Sequence, residues 1–176
     1  MKNKKMIFNL CLNAILIALG VVLSSFLQIP IFSNIKIDLS YVVIILMCML
    51  FNPFQAGLSA MTIAMLESSL FTAYGFSISW AMANLFIGLA CGTVFQLTKN
   101  MDKKWLKYVI NISSIVISVA IAMLLIKTII ECKLYAIPFE VKIVKNLVAF
   151  GVDTASCFIG YLLIIPKLSQ RAILKI

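Results

Sequence analysis

The segment from Ser79 to Gly92, SWAMANLFIGLACG, combines an apolar composition with a row of unusual residues at helical spacing. Trp80, Asn84, Gly88 and Gly92 recur every four residues, so a helix places them on one face. In lipid the amide of Asn84 finds no water, and the glycines allow another backbone to approach closely. The row predicts a membrane helix with a groove that runs from polar to small residues. The alternative is that Asn84 joins two helices and Trp80 anchors the helix at the lipid headgroups.

The composition of the whole chain agrees with a membrane location. Of its 176 residues, 63% are apolar and 12% are charged, and the mean hydropathy is +1.11. Soluble domains carry about 25% charged residues, whereas runs of about 20 apolar residues are typical of membrane spans. We interpret residues 1–176 as a single transmembrane domain, an all-α bundle. Its apolar runs predict six transmembrane helices, at about residues 6–29, 39–51, 54–71, 78–97, 105–130 and 139–165.

The basic residues indicate how this bundle is oriented. Ten of the fifteen Lys and Arg residues lie in residues 1–5, in the connector 99–107 and after residue 166. With six spans these segments share one side of the membrane, and the positive-inside rule places that side in the cytoplasm. We therefore expect both termini to be cytoplasmic. Because the net charge of +9 is concentrated at span ends and forms no stripe along a face, we expect no nucleic acid partner.

Several classes of chemistry are disfavoured by the residue types present. The chain has no histidine, and its five cysteines are far apart, so we expect neither a metal site nor a disulfide framework. With six carboxylates as the remaining acid–base groups, we expect no catalytic residues, no enzyme activity and no cofactor. The phosphate-binding pattern G-x-x-x-x-G-K-[ST] is also absent from the sequence, so any ATP hydrolysis would belong to partner proteins.

Three candidate binding residues come from the second and third apolar runs and the loop after them. Glu67 lies inside an apolar run, and an ionisable group at membrane depth is by default functional or paired. It is also within two turns of the predicted helix end, so it could instead reach the interface. Asp38 precedes a second span too short to cross about 30 Å of hydrocarbon, which places it at the lip of the bundle. Tyr74 belongs to a short aromatic and glycine loop that leads into the Trp80 helix.

The last span is the second polar helix. Lys142, Asn146 and Asp153 share one of its faces, and Lys145 lies beside them. A lone carboxylate near mid-membrane is costly, so we expect Asp153 to have a basic or amide partner: Lys145, Lys142 or Asn84. The alternative is a structural ion pair with no ligand.

Two pairs of small residues lie in the first span. Ala14 and Ala18 form one small-xxx-small pair, and Gly20 and Ser24 form a second on a neighbouring face. Such pairs permit close contact between helices. We predict that Ala14 and Ala18 contact a partner protein, and packing within the chain is the alternative.

The order of these features resembles one known family, the substrate-binding (S) components of energy-coupling factor (ECF) vitamin transporters. The resemblance covers nearly the whole chain and is carried by LNAILIALGVVLS, IKIDLS, LFNPFQAG and IPFEVKIVKNLV. In the third of these segments Asn52 and Ala56 stand where the family usually has glycine. The pair Lys145 and Asn146 is similar to one in some folate-type members, but the arginine that precedes that pair is Lys142 here.

The resemblance implies a six-helix binding protein in a bacterial plasma membrane. Its substrate would be a vitamin or related small nutrient, folate-, riboflavin- or pantothenate-like, bound in an outward-facing pocket. Its partners would be a transmembrane coupling subunit and two ATP-binding cassette ATPases. Two other classes stay open: a small ion-coupled carrier using Asp153 and Glu67, and a structural membrane subunit without a ligand.

Overall fold

The computed structural model describes residues 2–26, 29–32, 35–71 and 76–170, and these form a helical bundle with one short hairpin. The helices are α1 (Lys2–Phe26), α2 (Ser40–Leu50), α3 (Pro53–Phe71), α4 (Ile78–Leu97), α5 (Lys104–Ala120), α6 (Thr128–Tyr135) and α7 (Phe139–Gln170). A π-helical segment, Ile121–Lys127, joins α5 to α6. The predicted helical fold class is confirmed.

Within the described residues, four helical segments are long and apolar enough to cross a membrane: Met6–Ser25, Ile78–Leu97, Lys104–Tyr135 and Phe139–Leu163. The short apolar helix α2 has 11 residues, which at about 1.5 Å per residue is well below the thickness of the hydrocarbon layer. Sequence reasoning left open whether this span is short or starts earlier, and the structure shows that it is short. The total of six spans and the orientation of the termini stay predictions.

The connection before α2 forms a hairpin instead of a plain loop. Strand β1 (Ile29–Phe32) pairs in antiparallel fashion with β2 (Ile35–Ile37), and Ile29 lies opposite Ile37. Isoleucine, a β-branched residue, is favoured in strands, and it recurs in this segment. The hairpin brings the chain back to the start of α2, where Asp38 accepts a hydrogen bond from the Ser40 backbone N–H at 2.8 Å.

Helix α2 lies at the centre of the bundle. It contacts α1, α3, α4 and α7, and most of its side chains are buried. Its long apolar side chains form much of the core, which explains how so short a helix is held in place. The fully buried members of α2 with the largest side chains are Tyr41, Ile44, Ile45 and Met47.

Helices α3 and α4 pack along most of their length, and glycines set their distance. A Cβ atom added at Gly88 would lie 2.7 Å from the Gly57 Cα and 2.9 Å from the Ala56 carbonyl oxygen. One added at Gly92 would lie 3.0 Å from the Pro53 Cα. The predicted groove is therefore limited to Trp80 and Asn84, because α3 fills the glycine half of the row.

The fifth helical segment continues beyond its predicted end at residue 130. It runs without a break from Lys104 to Tyr135 and ends at Ala136, whose φ of 51° is left-handed. Pro138 follows one residue before α7 begins. Cys132, which follows the predicted end of the fifth span, consequently lies in α6, because no glycine or proline occurs between residues 104 and 137.

Candidate functional site

Trp80, near the N-terminal end of α4, lies between groups from two other helical segments. The Lys127 ammonium nitrogen is 4.2 Å from the centre of the Trp80 ring, a cation–π contact. The Tyr41 ring meets Trp80 edge to face, with centroids 6.4 Å apart and an interplanar angle of 79°. The indole therefore joins α2, α4 and the end of the π-helical segment.

Asn84 lies one turn further along α4 and is 2% exposed. Its side-chain nitrogen donates a hydrogen bond to the Trp80 carbonyl oxygen at 3.1 Å. Its side-chain oxygen Oδ1 is buried and has no hydrogen-bond partner among the described residues. The amide nitrogen thus bonds to its own helix, whereas the amide oxygen can accept a hydrogen bond from a group outside the helix.

Glu131 of α6 binds side chains from two neighbouring helices. Its Oε2 atom forms an ion pair with the Lys142 ammonium at 3.0 Å. The same atom accepts a long hydrogen bond from the Asn146 side-chain nitrogen at 3.5 Å. Its Oε1 accepts from the Ser79 hydroxyl at 3.4 Å. The Glu131 carboxylate therefore joins α4, α6 and α7 at the end of the bundle where Trp80 lies.

The π-helical segment sets the positions of Lys127 and Glu131. The Thr128 hydroxyl donates to the Met123 carbonyl oxygen at 3.0 Å, five residues earlier, and accepts from the Asn146 side-chain nitrogen at 2.8 Å. A π-helical turn inserts a residue into the helix and rotates the side chains that follow it, and such turns are frequent at functional sites. Here the segment ends at Lys127, the residue placed over Trp80.

Two buried carboxylates lie on the α2 side of the site. Asp153 of α7 accepts a long hydrogen bond, 3.5 Å, from the Tyr41 hydroxyl. Asp38 is buried where α2 begins; burial raises its pKa, and the hydrogen bonds from Ser40 oppose this shift. Lys127 is within electrostatic reach of Asp153. We expected Lys145, Lys142 or Asn84 as the partner of Asp153, and this prediction was wrong. Tyr41 donates the hydrogen bond, and the nearby cation is Lys127.

The structure brings most of the predicted site residues to one region. Five of them take part in the contacts described above: Trp80, Asn84, Lys142, Asn146 and Asp153. Asp38 is within electrostatic reach of Asp153. Glu67 of α3 is half-buried and within electrostatic reach of Tyr41. Lys145 is exposed on α7, and Tyr74 lies outside the described residues.

Sequence reasoning missed five members of the cluster: Tyr41, Ser79, Lys127, Thr128 and Glu131. Lys127 and Glu131 carry a signal that could have found them, since they are charged residues four apart in an apolar run. Tyr41, Ser79 and Thr128 carry none, because tyrosine, serine and threonine are ordinary in a membrane helix. We define the site cluster as these five residues together with Asp38, Trp80, Asn84, Lys142, Asn146 and Asp153.

The two small-residue pairs of α1 face different surroundings. Gly20 and Ser24 are buried, and a Cβ atom at Gly20 would lie 2.5 Å from the Ile63 side chain of α3. Ala14 and Ala18 are exposed. The pair predicted to contact a partner is thus the pair that this chain leaves uncovered.

Within the described residues no group of three or more His, Cys, Asp or Glu side chains could hold a metal ion.

Solved structures of other proteins share this fold, among them two that match over most of both chains. One is the crystal structure at 2.1 Å of the S component for biotin from an ECF-type ABC transporter, with a TM-score of 0.69 and 18% identity over 97% of this chain and 95% of that one. The other is FolT bound with folic acid, with a TM-score of 0.60 and 16% identity over 85% of this chain and 90% of that one. Comparison with curated proteins found no match.

The family comparison covers nearly the whole chain. Residues 4–170 match the model of the ECF-type riboflavin transporter, S component. The match confirms the resemblance seen in LNAILIALGVVLS, LFNPFQAG and IPFEVKIVKNLV. Members of this family are subunits of transporters and not enzymes. This chain belongs to the family of ECF-type riboflavin transporter S components.

Proposed function

We propose that this chain is the membrane-embedded, high-affinity substrate-binding subunit of an ECF-type ABC importer in a bacterial plasma membrane. The observation that carries the proposal is the site cluster, which concentrates charged, amide and aromatic groups at one end of an apolar bundle. Buried polar groups are costly unless they are paired, and a small number of polar groups that converge in apolar and aromatic surroundings is typical of a small-molecule site. The substrate is a vitamin or related nutrient taken from outside the cell.

A planar, riboflavin-like vitamin is the first candidate, and folate-like and pantothenate-like substrates are the next. The indole of Trp80 offers a flat face on which an aromatic ring can stack. Lys127 lies over one face of that indole, so a ring stacking there displaces the ammonium toward the edge of the ring. The surrounding amides and charges then supply hydrogen bonds to the polar substituents of the vitamin.

Energy for uptake would come from partner proteins. The sequence has no phosphate-binding loop, so two ATP-binding cassette ATPases supply ATP hydrolysis and a transmembrane coupling subunit transmits it. The exposed pair Ala14 and Ala18 is the surface that we assign to the coupling subunit, because small residues allow close helix contact.

Direct titration of the purified protein tests the binding function. Riboflavin, folate, pantothenate and biotin are titrated separately by calorimetry, and riboflavin also by flavin fluorescence. We expect saturable one-to-one binding of one of them. Failure of all four to bind a monodisperse preparation would contradict the proposed substrate class.

The role of Trp80 is tested by substitution. Stacking of a ring on an aromatic side chain is worth about 1–3 kcal/mol, so Trp80→Ala should weaken binding of the vitamin about tenfold to a hundredfold. The matched control is Trp105→Ala, because Trp105 is 76% exposed at the other end of the bundle, in α5. Equal affinities for Trp80→Ala and the wild type would remove Trp80 from the site.

A further inference from the structure

The π-helical segment is closed at one point by a side chain. The Thr128 hydroxyl donates to the Met123 carbonyl oxygen at 3.0 Å, across five residues. Elsewhere in the bundle Thr62 and Thr98 donate to carbonyl oxygens four residues earlier, as hydroxyls in α-helices usually do. Hydrogen bonds span four residues in an α-helix and five in a π-helix. The Thr128 bond therefore fits the wide turn and not an α-helical one.

Asn146 of α7 decides in which direction the Thr128 hydroxyl points. A hydroxyl has one hydrogen to donate, and its oxygen can accept a hydrogen bond in return. The Asn146 side-chain nitrogen, which can only donate, lies 2.8 Å from the Thr128 oxygen. The Thr128 hydrogen is thus left for the Met123 carbonyl oxygen.

A second acceptor fixes the orientation of the Asn146 amide. The same nitrogen lies 3.5 Å from Glu131 Oε2, so reversing the amide would set its oxygen against a carboxylate. Thr128 is fully buried and Asn146 is 3% exposed, so water does not compete for these hydrogen bonds. The bonds from Asn146 to Thr128 and from Thr128 to Met123 therefore have one direction, and through them α7 holds the π-helical segment.

Lys127 precedes Thr128 and depends on the same wide turn. Its ammonium nitrogen lies 4.2 Å from the centre of the Trp80 ring. A residue inserted into a helix rotates the parts on its two sides by about 100° relative to each other, because an α-helix has about 3.6 residues per turn. Relaxation of the wide turn to an α-helical one would therefore turn Lys127 away from Trp80.

We propose that Asn146 and Thr128 are positioning residues, whose hydrogen bond keeps the π-helical segment in its wide form and thereby holds the Lys127 ammonium on Trp80. This inference rests on the proposed function, which makes Trp80 a binding residue, and deepens it by assigning residues that act through Lys127. The contact exists in the protein without a ligand. It can therefore be tested whether or not a vitamin binds.

The test uses Trp80 as its own fluorescent reporter. The chain has two tryptophans, so the Trp105→Phe protein keeps only Trp80 and serves as the parent. An ammonium against an indole quenches its fluorescence by giving a proton to the excited ring, so Lys127→Met in the parent should raise the emission. Thr128→Val, which removes the hydroxyl at similar volume, should raise it by nearly the same factor. Asn146→Leu removes the other partner of the bond and should do the same.

Three controls, all measured on monodisperse protein, separate positioning from a general loss of structure. Thr128→Ser keeps the hydroxyl and should keep the emission of the parent. Thr93→Val removes a hydroxyl-to-carbonyl bond at the other end of α4 and should also leave the emission unchanged. Adding Thr128→Val to Lys127→Met should cause no further rise, because the quenching group is already gone.

Each of four results would overturn the inference. Unchanged emission in Lys127→Met means that the ammonium does not contact Trp80. Unchanged emission in either Thr128→Val or Asn146→Leu means that their hydrogen bond does not hold Lys127. A rise in Thr128→Ser, or a further rise when Thr128→Val is added to Lys127→Met, places the cause elsewhere. Failure of every vitamin to bind would contradict the proposed function alone, since these proteins are measured without a ligand.

Discussion

Glu131 is the residue on which the packing of three helices around the site depends. Its side chain is 10% exposed and that of its partner Lys142 is 16% exposed, so the ion pair is largely shielded from solvent. Ser79 and Asn146 also donate hydrogen bonds to the Glu131 carboxylate. Removal of one partner from a shielded ion pair of this kind leaves the other charge unpaired, which is strongly destabilising.

We expect Glu131→Gln to destabilise the protein. Hydrogen bonds to charged groups are worth about 1.5–3 kcal/mol, so the free energy of unfolding should fall by about that amount. Thermal unfolding in detergent measures the change. The control is the double variant Glu131→Gln with Lys142→Met, which also removes the ammonium that the Glu131 carboxylate had neutralised. If the double variant is as unstable as the sum of the single variants, the two residues are not coupled.

Helices α3 and α4 are so close at Gly88 that no change of side-chain conformation could make room for a larger residue there. The atoms nearest to a Cβ at Gly88 are backbone atoms of Ala56 and Gly57, and these cannot move without shifting α3 as a whole. Trp80 and Asn84 lie on the same face of α4, about two turns and one turn before Gly88, respectively. The close approach of the two helices therefore also fixes how the site residues of α4 are presented.

Gly88→Ala should separate the two helices and destabilise the bundle. Inserting a methyl group into a closely packed contact costs about 1–3 kcal/mol, and substrate affinity should fall as well because α4 shifts. The matched control is Gly151→Ala in α7, where an added Cβ meets nothing within 4 Å. Thermal unfolding and vitamin titration of both variants give the comparison. A normal Gly88→Ala protein would mean that α3 and α4 are further apart than described.

The exposed face of α1 gives the whole protein a surface suited to a partner helix. Ala14→Leu and Ala18→Leu should leave vitamin binding by the purified protein unchanged and abolish uptake by cells, because added bulk keeps the coupling subunit away. Ala155→Leu makes the same substitution at an exposed position of α7 and should retain uptake. Loss of binding in the Ala14 or Ala18 variants would show that these residues support the fold of the chain itself.

The orientation of the bundle is testable with cysteine labelling. We expect an Asp102→Cys residue, between α4 and α5, to be cytoplasmic and to react with a membrane-impermeant maleimide only after cells are opened. Cys132, near the end of α6, should be reached from outside on intact cells. Labelling of Asp102→Cys on intact cells, with Cys132 protected, would reverse the predicted topology. Cys48, Cys91 and Cys157 are buried, and the exposed Cys11 is replaced by serine in both preparations so that it adds no label.

The sequence by itself determined the helical membrane class and the family, and it singled out some of the polar residues that the structure brings together, among them Asn84, Lys142 and Asp153. These follow from local properties: runs of apolar residues long enough to span lipid, and ionisable groups such as Glu67 and Asp153 that are rare in such runs. Trp80 and Asn84 were predicted as a pair because four-residue spacing on a helix is a local rule.

Tertiary structure decided which of these residues meet and which half of the Trp80 row stays open. Gly88 and Gly92 could have lined a groove or a helix contact, and only the approach of α3 settles the choice. Likewise, the π-helical segment turns Lys127 onto Trp80, and Tyr41 reaches Asp153 from α2. These contacts join residues 47–112 positions apart in the chain. Local spacing fixes only which residues share a face of one helix, whereas packing between helices decides which faces meet.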